Sequence, residues 1–171
     1  MPLLRTKLTQ PLLRPRAART FTTSRPQRAK NEIYASVRRP EDLHTYQLLP
    51  RAPLLTLWTT SWCATCRSVA PLLESLVSAG VGEREGGVAF CAVDFDAPDI
   101  MALGLGLTYA VTSVPTLLSF GAGGVLGRRV VDGRLLADRA FLEEWIREEA
   151  RLGAGTGGGT GGFGGLFRGW R

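Results

Sequence analysis

Trp62-Cys63-Ala64-Thr65-Cys66 places two cysteines three residues apart, between a strand-like run (Pro53-Leu54-Leu55-Thr56-Leu57-Trp58) and a helix-like run from Arg67 to Val77. In the first turn of a helix, residues i and i+3 lie on neighbouring faces, so the two sulfurs come within bonding reach. That turn also carries unpaired N–H groups and the positive end of the helix dipole, which favour a thiolate at Cys63. The thiolate is the nucleophilic form of cysteine. The spacing therefore points to a redox-active dithiol. Two blander readings stand beside it. A CxxC pair is half of a zinc site, but four ligands are needed, and Cys91 and His44 are the only other soft ligands in the chain. Their positions supply no second ligand pair. The two cysteines are otherwise simply buried, as unpaired cysteines often are.

Pro53 to Thr59, just before the dithiol, is a continuous apolar run, as expected of a strand covered on both faces. The following helix has Val69, Leu72, Leu73, Leu76 and Val77 at helical spacing. Pro71 inside it predicts a kink, and Gly80 and Gly82 predict its end. Val88 to Asp94 reads as the next strand, with Cys91 in its middle, buried and inert. A resolving or regulatory thiol is the sharper reading of Cys91. Upstream, Ile33 to Val37 is a weak strand. Pro40, Glu41 and Asp42 start a helix whose buried face is Leu43, Tyr46 and Leu49. His44, the single histidine, is read as a surface residue.

Ile100 to Gly127 contains no charged residue. Gly104, Gly106, Thr108, Thr112, Ser113 and Pro115 interrupt it, which argues against a membrane span. A short helix, a loop and a buried strand from Thr116 to Phe120 fit better. A turn over Gly121 to Gly124 leads to an antiparallel partner strand, Arg128 to Val131. An amphipathic helix from Ala137 to Arg151 closes the domain, with Asp138 as cap and Phe141, Leu142, Trp145 and Ile146 facing inward. The order is βαβαβ followed by ββα, which mixes parallel and antiparallel pairing.

The chain of 171 residues has a net charge of +6, unevenly placed. Residues 1–31 hold six Arg and two Lys and no acid, which leaves the remainder net negative by two. A nucleic-acid surface on the folded part is thus poorly supported. Residues 1–30 read as a mitochondrial targeting sequence, Arg-rich, acid-free and supplied with Thr20, Thr22, Thr23 and Ser24. Pro2, Pro11 and Pro15 weaken its helical reading. Arg19-Thr20-Phe21-Thr22-Thr23-Ser24 resembles matrix-processing sites. A basic tail that touches anionic surfaces is the plainer alternative. No apolar core long enough for a secretory signal is present. Three cysteines are too few for a secreted disulfide framework. Residues 31–152 form the expected domain. Residues 153–171 are Gly/Thr-rich and are expected to be a flexible tail bearing Phe163, Leu166, Phe167 and Trp170.

Trp62-Cys63-Ala64-Thr65-Cys66, Pro71, Val93-Asp94 and Ser113-Val114-Pro115-Thr116 together resemble the thioredoxin family over residues 34 to 152. The resemblance implies an α/β thioredoxin fold, a central mixed sheet flanked by helices, with disordered tails at both ends. It implies a cis Val114–Pro115 bond facing the dithiol, with the backbone just before the proline pairing with bound substrate chains. It implies protein disulfides as substrates. Cys63 attacks, Cys66 resolves, and Trp62, Val114 and Pro115 bind substrate. No metal and no cofactor are implied. A thioredoxin reductase is implied as electron donor.

Three departures qualify this. Ala64-Thr65 stands where thioredoxins usually have Gly-Pro, which predicts a less reducing couple. Leu57 stands where the family has a buried Asp that assists proton transfer at the second cysteine, which predicts slower deprotonation of Cys66 and reduced activity. Thr59-Thr60-Ser61 replaces the usual residues before the tryptophan. The expected function is a mitochondrial, matrix-located thiol–disulfide oxidoreductase. The alternatives are a catalytically weak thioredoxin-fold binding or assembly protein, and a metal carrier using Cys63, Cys66 and Cys91. Glutaredoxin-like use of glutathione fits less well, because that motif usually has Pro-Tyr between the cysteines.

Overall fold

A computed structural model describes residues 30–50 and 52–156. The expected targeting segment, apart from Lys30, and the tail from residue 157 lie outside the described residues. The apolar run of the sequence becomes β2 (Leu54–Thr59), whose first five residues are buried. It is the central strand of a five-stranded sheet ordered β1-β3-β2-β4-β5. The other strands are β1 (Glu32–Ile33), β3 (Ala89–Asp94), β4 (Thr116–Phe120) and β5 (Leu126–Val130). β2 pairs in parallel with β3, Leu57 opposite Ala92, and antiparallel with β4, Leu57 opposite Leu117. The sheet is therefore mixed, as the βαβαβ–ββα order predicts.

Alternation along β2 divides the core into two halves. Leu55 and Leu57 face a cluster built from Val69, Leu73, Leu76 and Val77 of α2 (Ala64–Ser78) and Leu142, Trp145 and Ile146 of α6 (Arg139–Thr156). Leu54 and Trp58 face the other cluster, which includes Leu43 of α1 (Pro40–Leu48) and Ile100 of α3 (Pro98–Ala102). Helices thus cover both faces of the sheet, which is why β2 has no polar face. Leu73 is fully buried at the contact of α2 with the sheet. Leu73→Ala is expected to cost about 2–5 kcal/mol, read as a lower urea midpoint with an unchanged slope.

Several boundaries differ from the sequence reading. Only Glu32 and Ile33 pair as a strand at the N-terminal end, and Val37 makes a single parallel bridge to Val93. On α1 the buried pair is Leu43 and Gln47, one turn apart, and Leu49 is exposed at the cap. Gln47 is admitted to the interior because its amide donates to the Tyr109 hydroxyl at 3.2 Å. α2 runs from Ala64 to Ser78 with Pro71 inside it. Beyond β3 the uncharged stretch forms α3, α4 (Leu105–Thr108) and β4, and no helix among the described residues is long and apolar enough to cross a membrane. β5 begins at Leu126, two residues earlier than predicted. A short helix, α5 (Gly133–Ala137), precedes α6. Asp138 caps α6 as expected, accepting from the Ala140 N–H at 2.9 Å. α6 continues to Thr156, past the boundary expected at residue 152. Gly153 lets it do so, because a Cβ there would clash with the Pro53 ring.

Candidate active site

β2 ends at Thr59, and Thr60-Ser61-Trp62 carry the chain to the start of α2. Cys63 is the N-cap residue of that helix, with extended φ/ψ of −77° and 110°. Its Sγ accepts the Cys66 N–H at 3.1 Å, so an orphan donor of the first turn is spent on the sulfur. Cys63 and Cys66 form a disulfide with a Cα–Cα separation of 5.3 Å. Cys63 is 8% exposed and Cys66 is 3% exposed, so the first sulfur faces the surface more than the second. Trp62 stands beside them, 72% exposed.

The opposing wall comes from β4. Its antiparallel register sets Thr116 opposite Trp58, so the residues entering β4 lie beside the end of β2 that launches the redox loop. There the Val114–Pro115 peptide is cis. Pro115 is buried, Val114 is half-buried, and the Thr116 hydroxyl donates to the Ser113 carbonyl at 2.6 Å, tying the turn. A Cβ added at Gly133, at the start of α5, would come into ordinary contact with the Thr65 methyl.

Leu57 is fully buried among Leu55, Val69, Leu73 and Leu117. Among the described residues the buried acid is Glu149, and it lies beside Pro53, before the opposite end of β2. Six residues of strand separate those ends, about 20 Å, so Glu149 does not serve Cys66. Cys91 is wholly buried in mid-strand, and burial pushes its thiol up to about 12, which keeps it protonated. Among the described residues no group of three or more His, Cys, Asp or Glu gathers as metal ligands. His44 is exposed on α1.

One residue at this site escaped the sequence reading. Asp96, in the turn after β3, accepts both the Ser61 hydroxyl at 2.7 Å and the Ser61 backbone N–H at 3.1 Å through one carboxylate oxygen. These bonds hold its carboxyl below the usual range. Beside it Arg38 pairs with Asp94 at 3.2 Å. The sequence signal was the acid pair Asp94 and Asp96 at the end of a strand parallel to β2, which the topology brings next to the redox loop. Asp96→Ala is expected to slow disulfide exchange about fivefold by loosening the backbone before Trp62, with little change in melting temperature. Asp96→Asn, which retains an acceptor oxygen, is expected to recover part of the rate.

A mixed sheet with a dithiol capping the helix after its central strand, and a cis-proline turn on the neighbouring strand, defines a thioredoxin-fold redox protein. The thioredoxin family model matches residues 41–148, more than half of the chain, and the chain belongs to that family. An M-type chloroplastic thioredoxin from Triticum aestivum is 33% identical over 73 residues, 42% of this chain and 37% of the relative. The chain thus spans well under two thirds of that relative's length. Among solved structures, reduced Schistosoma mansoni thioredoxin pre-protein has a TM-score of 0.54 at 20% identity, covering 69% of this chain and 98% of the other. Oxidised mitochondrial thioredoxin 3 from Saccharomyces cerevisiae has a TM-score of 0.51 at 22% identity, covering 67% and 93%. At these identities the two structures speak for the fold.

Proposed function

We propose that this chain is a thiol–disulfide oxidoreductase acting on protein disulfides in mitochondria. The observation that supports it is the Cys63–Cys66 bridge at the N-terminus of α2, with the more exposed sulfur receiving the helix N–H. In the reduced protein the Cys63 thiolate attacks one sulfur of a substrate disulfide. The other substrate sulfur leaves as a thiolate and takes up a proton. Cys66 then loses its proton and attacks Cys63 Sγ, which releases the second substrate thiol and closes the internal bridge. Two electrons pass from the dithiol to the substrate. An external dithiol donor restores the reduced form, and a thioredoxin reductase suits that role. Trp62, Val114 and Pro115 form the rim on which substrate backbone is received.

The mitochondrial assignment rests on the acid-free, Arg-rich residues 1–30. Buried Leu57 favours a second reading, a thioredoxin-fold binding or assembly protein that turns over weakly. Turnover of a protein disulfide with a dithiol donor, compared with Cys63→Ser, separates the two. Loss of a measurable rate in the variant supports the enzyme. Equal background in both supports the binding protein.

A further inference from the structure

A groove of about 350 Å3 lies away from the redox loop, between the edge strand β5 and the last turns of α6. Its walls are largely apolar and include Pro53, Val125, Leu126, Leu152 and Gly153. Val125 is 68% exposed, and Leu126 and Leu152 are also open to solvent. Such a contiguous exposed apolar surface on a sheet edge favours a cover. At its floor sits Glu149, 4% exposed, whose Oε1 has no hydrogen-bond partner among the described residues. Arg128 approaches it at 3.4 Å but is shared with Glu148 at 2.6 Å. Two carboxylates thus divide one guanidinium, with the Ser119 hydroxyl also beside Glu149.

The chain itself supplies a segment of matching chemistry. Residues 157–171 follow directly from α6, whose Leu152 and Gly153 form part of the groove wall. Their last nine residues contain Phe163, Leu166, Phe167 and Trp170, with Arg168 and Arg171 among them. Seven residues from Thr156 to Phe163 reach up to about 24 Å when extended, enough to turn back onto β5. Gly157, Gly158 and Gly159 permit the reversal, since glycine adopts backbone angles closed to other residues. A segment tethered at the groove's own wall is present there at millimolar effective concentration, which favours it over a separate partner.

We propose that residues 157–171 fold back over this groove, laying Phe163, Leu166, Phe167 and Trp170 against Pro53, Val125 and Leu126 and bringing Arg168 to the Glu148–Glu149 pair. The proposal does not depend on the redox reading, because the groove and the dithiol lie toward opposite ends of β2.

The test is amide hydrogen exchange on the full 171-residue chain. It is compared with a variant carrying Phe163→Ser, Leu166→Ser, Phe167→Ser and Trp170→Ser, and with Val125→Arg, which alters an exposed groove residue. Exchange in β5 and at the end of α6 is expected to be about tenfold faster in both variants than in the parent, at every protein concentration. Arg168→Glu is expected to give part of that loss, and added salt to weaken protection in the parent only. Equal exchange in parent and quadruple variant overturns the proposal. Protection that grows with concentration, alongside a dimer mass, overturns it in favour of a second copy. Protection appearing only with anionic lipid vesicles overturns it in favour of a membrane surface. Val125→Arg failing to fold leaves the quadruple variant to decide, since its changes lie outside the packed domain.

Discussion

Cys63→Ser is expected to lower the rate of protein-disulfide reduction at least about a thousandfold, because it removes the only sulfur placed to attack. The same loss is not expected of binding, since the rim proposed for it, Trp62, Val114 and Pro115, is unchanged. Cys66→Ser is expected to behave differently. Its Cys63 still attacks, but no second thiol releases the product, so a stable mixed disulfide accumulates. Non-reducing electrophoresis after mixing with an oxidised protein substrate reads both outcomes. A trapped adduct in Cys66→Ser and none in Cys63→Ser assigns attack to the sulfur that caps α2. Adducts formed equally by both variants would contradict that order and point to a site where either sulfur is reached. Cys91 is not expected to rescue either variant, since it is buried in β3 with its thiol held protonated.

Leu57→Asp is expected to accelerate resolution of the mixed disulfide about a hundredfold near pH 7, the scale of a positioned general base. Among the described residues of the parent no acid occupies that part of the core, so no carboxylate stands ready to take the Cys66 proton. The substitution carries a stability cost. Leu57 packs among Leu55, Leu73 and Leu117, and an unpaired carboxyl there is about 3 kcal/mol less favourable. Burial raises the pKa of the introduced acid above its unfolded value. Its penalty is therefore smallest below about pH 4 and grows as pH rises through the folded pKa. The parent, with Leu57, lacks this added contribution to the pH dependence. Stopped-flow exchange with a pre-formed mixed disulfide gives the rate, and urea titration at pH 4 and pH 7 gives the stability difference. An unchanged resolution rate in a variant shown to be folded would mean that Leu57 does not limit deprotonation of Cys66.

Much of this arrangement was legible because the chemistry is local. A short, largely apolar run just ahead of a helix start reads as a strand covered on both faces, and β2 is so covered. Thr116–Phe120 emerged with the expected bounds because Pro115 and Gly121 punctuate it on both sides. The CxxC pair sits at a helix start because a strand precedes it and helical spacing follows. The cis bond before Pro115 came from the family resemblance and not from any local signal. What was missed depends on partners far along the chain. Gln47 is buried because Tyr109 accepts its amide, and nothing near residue 47 announces that. Asp96 bonds Ser61 only because β3 lies beside β2 in the sheet. α6 extends into a glycine-bearing stretch because Gly153 packs against Pro53, a contact between residues a hundred positions apart.

The proposed chemistry requires Cys63 and Cys66 to form a reversible two-electron couple. Its most direct test is the reduction potential of the pair, obtained by equilibrating the protein in dithiol–disulfide buffers and mass-tagging the remaining thiols. Thr65 in place of the usual proline predicts a value less reducing than about −270 mV, with the bridge forming and opening in one cooperative step. Failure of the bridge to form in any buffer, with both cysteines tagged throughout, would contradict the account and leave a thioredoxin fold used for binding.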